Sequence, residues 1–540
     1  MNKLYYGDNL DVLRRHIDDE SVDLVYLDPP FNSNASYNVL FAEQDGARAA
    51  SQIKAFEDTW RWDANAARAC HEVIEAGGKV SLAMQAFRTF LGESDMLAYL
   101  SMMAPRLIEL RRVLKSTGSI YLHCDPSASH YLKMLMDAVL GPEQFRNEVV
   151  WKRTSAHSSA KRYGPVHDVI FFYGKTDQMQ WIGGRQAYNP AYVRQRYKRG
   201  GDRPWRDENL TGAGVRHGET GLEWRGFDVT AKGRHWAYPP TELDRMDAAG
   251  LIYWPSKSGG WPREKVLLDE AEGVALQDVW TDVSPLNSQA QERLGYPTQK
   301  PEALLERIIA ASSDERDTVL DPFCGCGTTI AAAQRLKRRW IGIDITSLAI
   351  SLIRNRLGDA FEGRAKFEVV GEPVSSPDAA KLAKDDPYQF QWWALGLVGA
   401  RPVEGKKGAD KGIDGRIFFH EGDKDKTKQI ILSVKAGHVT VSQLRDLRGV
   451  LDREKAEIGV LLCMDEPTAP MRKEAASAGF YKSPWGEHSR LQILTIDDLL
   501  AGKTIDRPPA QTSVTFKRAP KAALPTGENR PLFGETDPED

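Results

Sequence analysis

The sequence predicts an α/β chain in which a doubly wound, largely parallel sheet carries long insertions and is followed by a second, smaller α/β domain. Three observations predict it. The apolar run Val22 to Leu27 closes on Asp28-Pro29-Pro30-Phe31. The run Thr318 to Asp321 passes through Phe323-Cys324-Gly325-Cys326-Gly327 into a helix expected to start near Thr328. Beyond residue 387, apolar helix and strand segments begin again after a polar stretch.

Asp28 to Phe31 form a loop suited to gripping a planar amino group. An exocyclic amine is a poor nucleophile because its lone pair is delocalised into the ring. Acceptors beside its hydrogens, here the Asp28 carboxylate and the Pro29 carbonyl, draw the nitrogen toward a tetrahedral, reactive geometry. Pro29 and Pro30 fix their own φ and lack N–H groups, so the loop presents carbonyls without donors. Phe31 offers a ring face worth roughly 1–3 kcal/mol of stacking to a base that has left its duplex. A strand exit with two prolines would look the same by itself, so the second motif matters.

In that motif Gly325 and Gly327 allow a tight turn and close approach of a ligand. The strand Trp340 to Asp344 ends, about 20 residues after the turn, in a carboxylate placed for ribose hydroxyls. The spacing is not the G-x-G-x-x-G that packs a pyrophosphate, and Asp321 before the turn suits a cation better than a phosphate. S-adenosylmethionine, with its sulfonium and ammonium, is such a ligand.

In this order the residues resemble the beta-class amino methyltransferases of DNA, in which a DPPF-type motif precedes the cofactor glycine motif. The resemblance covers nearly all of residues 1–360. It implies a Rossmann-like methyltransferase domain over 1–365 that binds S-adenosylmethionine and acts on double-stranded DNA. Tyr6-Gly7-Asp8 looks like the element contacting the cofactor adenine, and Arg112 to Asp125 like the strand after the catalytic one. Phe145 to Trp151 and His167 to Tyr173 look like later sheet segments. Tyr296-Pro297-Thr298-Gln299-Lys300-Pro301 is similar to the segment that closes over the methionine part. The pattern makes Asp28, Pro29, Pro30 and Phe31 catalytic. It makes Asp8, Thr298, Lys300, Asp321, Phe323, Gly325, Gly327, Thr328 and Asp344 cofactor-binding. In the family, aspartate in the first motif position usually goes with N6 of adenine and serine with N4 of cytosine, so the resemblance implies adenine for Asp28. A pocket built for an amine beside a ring nitrogen would also admit cytosine. Members of the family are often dimers, which makes a homodimer an expectation.

Composition bounds the partners. The 540 residues suffice for two or three domains, and no apolar stretch is long enough to span a membrane. Met1-Asn2-Lys3-Leu4 starts a strand rather than a signal peptide, so a cytoplasmic protein is expected. Cys70, Cys124, Cys324, Cys326 and Cys463 show no paired metal spacing, which predicts reduced thiols and no zinc. The net charge of -3 conceals a local excess, since residues 151–240 hold 16 Lys plus Arg against 8 Asp plus Glu. Arg194, Arg196, Lys198, Arg199, Arg203 and Arg206 interleave with Tyr197 and Trp205, as surfaces that track a nucleic-acid backbone do. They occupy the family's target-recognition position, expected over 176–295. Residues 44–104, rich in Ala and long apolar side chains, read as a helical insertion.

Residues 366–386 have the Pro, Ser, Ala and Lys content of a linker. The elements expected over 387–505 resemble the PD-(D/E)XK nuclease fold in its Mrr-like branch. That resemblance implies that Asp414 holds a divalent metal, magnesium by expectation, while Lys435 polarises a phosphate or water. Ser433 stands where such nucleases carry Glu or Gln, so one strong ligand is missing. DNA binding is therefore expected ahead of cleavage, with a combined modification and restriction enzyme as the competing reading. Residues 506–540, rich in Pro, Lys, Thr and Glu, cannot bury a core and are expected to be disordered.

Overall fold

The computed structural model describes residues 1–30, 62–154, 161, 163–198, 203–257, 259–287, 290–294, 296, 298–403, 412–421, 427–509, 515 and 519–522. Nine strands form the main sheet: β1 (Asn2–Tyr6), β2 (Val22–Leu27), β3 (Leu114–Cys124), β4 (Phe145–Lys152), β5 (His167–Gly174), β6 (Val279–Trp280), β7 (Thr318–Asp321), β8 (Arg339–Asp344) and β9 (Phe367–Val370). Their order is β6-β4-β5-β3-β2-β7-β8-β1-β9. The neighbours from β3 to β9 are parallel, whereas β5 runs antiparallel to both β3 and β4. The chain leaves β2 toward β3 on one side and β7 toward β8 on the other. The carboxyl ends of β2 and β7 therefore flank the point where winding reverses, where open α/β sheets bind ligands.

Every residue of β2 is buried, as a central parallel strand covered on both faces requires. Its side chains alternate between two cores. Val25 and Leu27 join Leu13, Leu107 and Leu132 on one face, while Leu24 and Tyr26 join Ile308, Ile330 and Ile353 on the other. The first face is covered by α1 (Asn9–His16), α2 (Ala64–Glu75), α3 (Gly78–Leu91), α4 (Asp95–Val113) and α5 (Pro126–Leu140). The second is covered by α6 (Glu302–Ser312), α7 (Thr328–Arg335) and α8 (Ser347–Phe361). The expected insertion is thus helical where it is described, and Met84 and Phe87 are fully buried in the sheet's own core. Its last helix continues to Val113, past the expected boundary at 104.

The expected linker is a correction. Within 366–386, β9 pairs with β1, and α9 (Ser376–Asp385) is capped by Ser375 and buries Ala379. A Ser cap followed by Ser-Pro-Asp starts a helix, and a single apolar stripe was hidden in a polar composition. The second sheet follows, with β10 (Arg401–Pro402), β11 (Gly415–Phe419), β12 (Lys428–Lys435), β13 (Ile458–Cys463) and β14 (Leu491–Thr495) in sequence order. Helix α10 (Pro387–Leu397) packs Phe390 and Trp393 on one of its faces, and α11 (Val441–Glu454) packs Leu444 and Leu447 on the other.

Part of the supposed disordered tail is also corrected. The Thr515 hydroxyl accepts from Phe418 N–H at 2.9 Å, extending the edge of β11. Ala522 N–H donates to Ala360 O at 2.9 Å, and Lys521 pairs with Glu362 at 2.7 Å. Residues 523–540 lie outside the described ones.

Residues 183–276 form a separate compact unit, narrower than the expected 176–295. The strands Ile252–Tyr253, Arg263–Leu267 and Trp205–Asn209 make its antiparallel sheet, and Leu210, Trp224, Val229, Trp236 and Leu243 form its own core. Among the described residues, no helix is long and apolar enough to cross a membrane.

Candidate active site

Three adjacent parallel strands deliver an aspartate apiece at their carboxyl ends. Asp28 follows β2, Asp321 ends β7 and Asp344 ends β8. Burial pushes the Asp321 carboxyl up to about 7, and the charges of Asp28 and Asp344 add to the rise. Asp321 accepts Phe323 N–H at 3.0 Å. Burial likewise raises Asp344 to about 6, although Gly325 N–H at 2.9 Å, Thr346 N–H at 2.9 Å and the Thr346 hydroxyl at 2.8 Å oppose it. Clustered carboxylates in a low-dielectric crevice disfavour one another's charge and favour a cation.

The sequence assigned Lys300 to the cofactor, but its ammonium pairs with the carboxylate of Asp28, so it belongs at least as much to the Asp28 loop. Pro29 is buried and Pro30 half-buried. Phe31 lies outside the described residues, and Thr298 is exposed. Behind the loop, the Tyr26 hydroxyl meets His123 Nδ1 at 2.8 Å, and His123 Nε2 meets Asp168 at 3.2 Å. Burial would raise Asp168, but His123, Lys300 and Arg153 together hold it below the usual carboxylate range.

The glycine turn needs its glycines. Gly325 has φ +48° and Gly327 φ +76°, both in the left-handed region. A Cβ at Gly327 would stand 2.7 Å from Ile353, and one at Gly325 would stand 3.2 Å from the Tyr296 ring lying over the turn. Phe323 is half-buried against the first core. Thr328 opens α7, and its hydroxyl accepts from Arg356 at 3.2 Å. The buried Arg356 guanidinium also donates to Cys326 O at 3.1 Å and to Glu302 at 2.6 Å, fixing the turn from below.

Asp8 caps α1 through Leu10 N–H at 2.8 Å and pairs with Arg106 at 2.7 Å. Arg106 also donates to Asn9 at 2.6 Å, and Asn9 donates to Pro322 O at 2.8 Å, which ties the first helix to the glycine turn. Sequence reasoning missed Arg106 and Arg356. Nothing local marks either one, because each acts on segments far away in the chain. All five cysteines are free and buried.

In the separate unit, Arg194 and Arg196 stand exposed on the helix Pro190–Arg196. The other basic residues differ from a free phosphate-binding row. Lys198 pairs with Asp207 at 2.8 Å, Arg203 with Asp269 at 2.5 Å and Glu270 at 2.6 Å, and Arg206 with Glu208 at 2.5 Å. Lys198 also lies over the rings of Trp205 and Tyr253. Local acids, some of them outside the counted window, neutralise half of the predicted patch. Arg199 lies outside the described residues.

In the second sheet the structure does bring Asp414, Ser433 and Lys435 together. Asp414 Oδ2 accepts Val434 N–H at 2.7 Å and the Ser433 hydroxyl at 3.1 Å, and lies 3.6 Å from Lys435 Nζ. Asp414 Oδ1 accepts the Gln391 amide at 3.1 Å. Among the described residues, no group of three or more His, Cys, Asp or Glu is arranged to hold a metal ion.

Residues 22–355 match the model of a DNA methylase family, and residues 389–501 match that of a NACHT-associated inactive restriction endonuclease. The type II methyltransferase M.EcaI of Enterobacter cloacae is 35% identical over 261 residues, 48% of this chain and 57% of its own. The Mod subunit of the type III restriction-modification enzyme StyLTI of Salmonella typhimurium is 29% identical over 359 residues, 62% of this chain and 50% of its own. The DNA adenine methyltransferase YhdJ of Escherichia coli is 24% identical over 355 residues, 66% of this chain and 82% of its own. The chain spans about half the length of the first two. With the family model running from β2 and the Asp28-Pro29-Pro30 loop through the glycine turn to α8, the chain belongs to the N6/N4 DNA methylase family.

Proposed function

We propose that residues 1–365 transfer a methyl group from S-adenosylmethionine to the N6 amine of adenine in double-stranded DNA. The observation that carries this reading is the row of Asp28, Asp321 and Asp344 at the ends of three adjacent parallel strands, two of them raised toward neutrality. A buried row of acids fits a nucleoside that bears positive charge and fits a pyrophosphate badly. Asp344 would hold the ribose, and Asp321 would face the cationic end. When bound, the cofactor supplies an electrophilic methyl group.

The chain's own residues then act on the base. The Asp28 carboxylate and the Pro29 carbonyl accept the two amine hydrogens and draw the lone pair out of conjugation. Lys300 orients the Asp28 carboxylate until the amine N–H takes its place. Displacement is direct and in line, with no covalent link to the protein. The amine proton becomes acidic only once the nitrogen is alkylated, so Asp28 mainly orients and polarises before it receives a proton. Adenine is supported by aspartate in the first motif position and by the E. coli relative's named specificity. Arg194 and Arg196 supply the cationic surface for the DNA backbone.

The test is transfer of labelled methyl to mixed-sequence duplex DNA, with nucleoside mass spectrometry, for wild type beside Asp28→Ala. Methylated adenine that vanishes in the variant supports the proposal, and methylated cytosine moves it to N4 chemistry at the same site. For residues 387–505 we propose DNA binding without cleavage. The donors already filling Asp414 and the match to an inactive endonuclease model support this, and they leave little room for bound magnesium.

A further inference from the structure

Helix α10 belongs to the stretch that matches the endonuclease model, yet one of its faces reaches the methyltransferase site. Gln389 is 7% exposed. Its Oε1 lies 3.4 Å from the Tyr6 hydroxyl and 3.4 Å from Ser347 N–H. These two donors bracket the end of β8. Tyr6 is paired in parallel register with Asp344, and Ser347 opens α8 three residues after it. One turn along, Trp392 packs against the cluster formed by Tyr296, Cys326, Leu348 and Leu352, and Tyr296 in turn lies over Gly325. Residues 389 and 392 share a helix face, so a single helix touches both walls of the expected nucleoside site. Between them Ile345 is half exposed, an apolar ledge beside the ribose-binding carboxylate. Gln391, on another side of the same helix, donates to Asp414.

We infer that Gln389 and Trp392 are positioning residues for the adenosine end of the cofactor, so the endonuclease-like domain completes the methyltransferase's nucleoside site. Gln389 fixes the Tyr6 ring and the first turn of α8, and Trp392 backs the apolar cluster that holds Tyr296 over the glycine turn. Neither residue touches the reacting atoms. The inference rests on the proposed binding of S-adenosylmethionine in this crevice.

The test uses the full chain and calorimetric titration with S-adenosylmethionine. Gln389→Glu keeps both the length and the acceptor, and suits the third position of a helix capped by Asp386. Gln389→Met keeps the length alone. Losing the acceptor should weaken cofactor binding about five- to tenfold in Gln389→Met, with Gln389→Glu within about twofold of wild type. At saturating cofactor the methylation rate of Gln389→Met should stay within about twofold of wild type, which places the defect in KM. A double-mutant cycle with Tyr6→Phe should be non-additive. Equal affinities for Gln389→Met and wild type, or losses that multiply in the double variant, would overturn the inference alone. A wild-type chain that binds no S-adenosylmethionine would overturn the site reading with it.

Discussion

The crevice at β2, β7 and β8 and the site around Asp414 both place an aspartate near a lysine on a sheet, yet they differ in how their carboxylates are satisfied. In the crevice three acids lie together, and Lys300 pairs with one of them. Asp321 and Asp344 are pushed up to about 7 and about 6 because burial disfavours their charge, with Asp28 and Asp344 adding to the rise at Asp321. At Asp414 a single acid is filled by a backbone N–H, a hydroxyl, an amide and a nearby lysine. Asp344 also accepts three hydrogen bonds, but among the described residues no cation pairs with Asp321 or Asp344, so the first arrangement stores a demand for positive charge. The second has already met it. A carboxylate at a strand end thus marks a ligand site only where its neighbours leave its charge uncompensated.

The largest expected effect separates chemistry from binding within the crevice. Asp28→Ala should cut methyl transfer by about a thousandfold or more while S-adenosylmethionine affinity changes by less than about threefold, because on the proposed reading Asp28 acts on the amine rather than the cofactor. Single-turnover transfer and titration on the same preparation check it. An equal loss in both would merge the two roles.

Asp321→Asn should weaken cofactor binding about tenfold or more, since the cation loses its buried partner. The pH dependence has a definite sign. Cofactor affinity should fall as pH drops from 8 through about 7, because the proton then occupies Asp321. Stability of the free protein moves oppositely. A carboxyl raised from its usual range contributes stability at low pH that is lost as pH rises through about 7. Asp321→Asn should therefore raise the melting temperature of the free protein at pH 8 by about 2 °C or more, and flatten the affinity profile between pH 6 and 8. Thermal melts and titrations at pH 6, 7 and 8 decide this, and an unchanged slope would remove Asp321 from the account.

Much of the crevice was legible in the sequence because its parts are local. A strand, an acid and a turn follow one another within a dozen residues, and the order of Asp28, Asp321 and Asp344 along the chain leads to adjacent strands. What could not be read is what joins distant segments. Arg106 ties Asp8 and Asn9, and through Asn9 the glycine turn, across almost a hundred residues. Arg356 reaches back to Cys326 and Glu302, and Lys300 turns out to face Asp28. The basic run failed differently. Counting charge in one window could not reveal that Asp207, Asp269 and Glu270 fold back onto Lys198 and Arg203. Residues 366–386 read as linker because one apolar stripe on a short helix is diluted by polar neighbours.

The smallest effects should arise at Asp414, and they sharpen the contrast most. Asp414→Asn keeps the oxygen that receives Val434 N–H, loses the charge facing Lys435, which is 40% exposed, and requires the Gln391 amide to turn its oxygen toward the new NH2. An exposed pair of this kind is worth about 1 kcal/mol or less. Methylation should therefore be unchanged, and the melting temperature should fall by no more than about 2 °C. Wild type should show no magnesium-dependent shift in melting temperature, because magnesium demands hard oxygen ligands and, among the described residues, the one carboxylate at this site is occupied by donors; Asp410, which could supply a second, lies outside them. Ser433→Glu replaces one of those donors with a second carboxylate on β12, beside Asp414. That variant should gain a magnesium-dependent rise in melting temperature that is abolished by adding Asp414→Asn. If wild type already responds to magnesium, Asp414 is a metal site after all and the contrast with the crevice fails. If Ser433→Glu stays silent, the occupation of Asp414 by Gln391 and Val434, rather than the missing acid, is what keeps the site closed to metal.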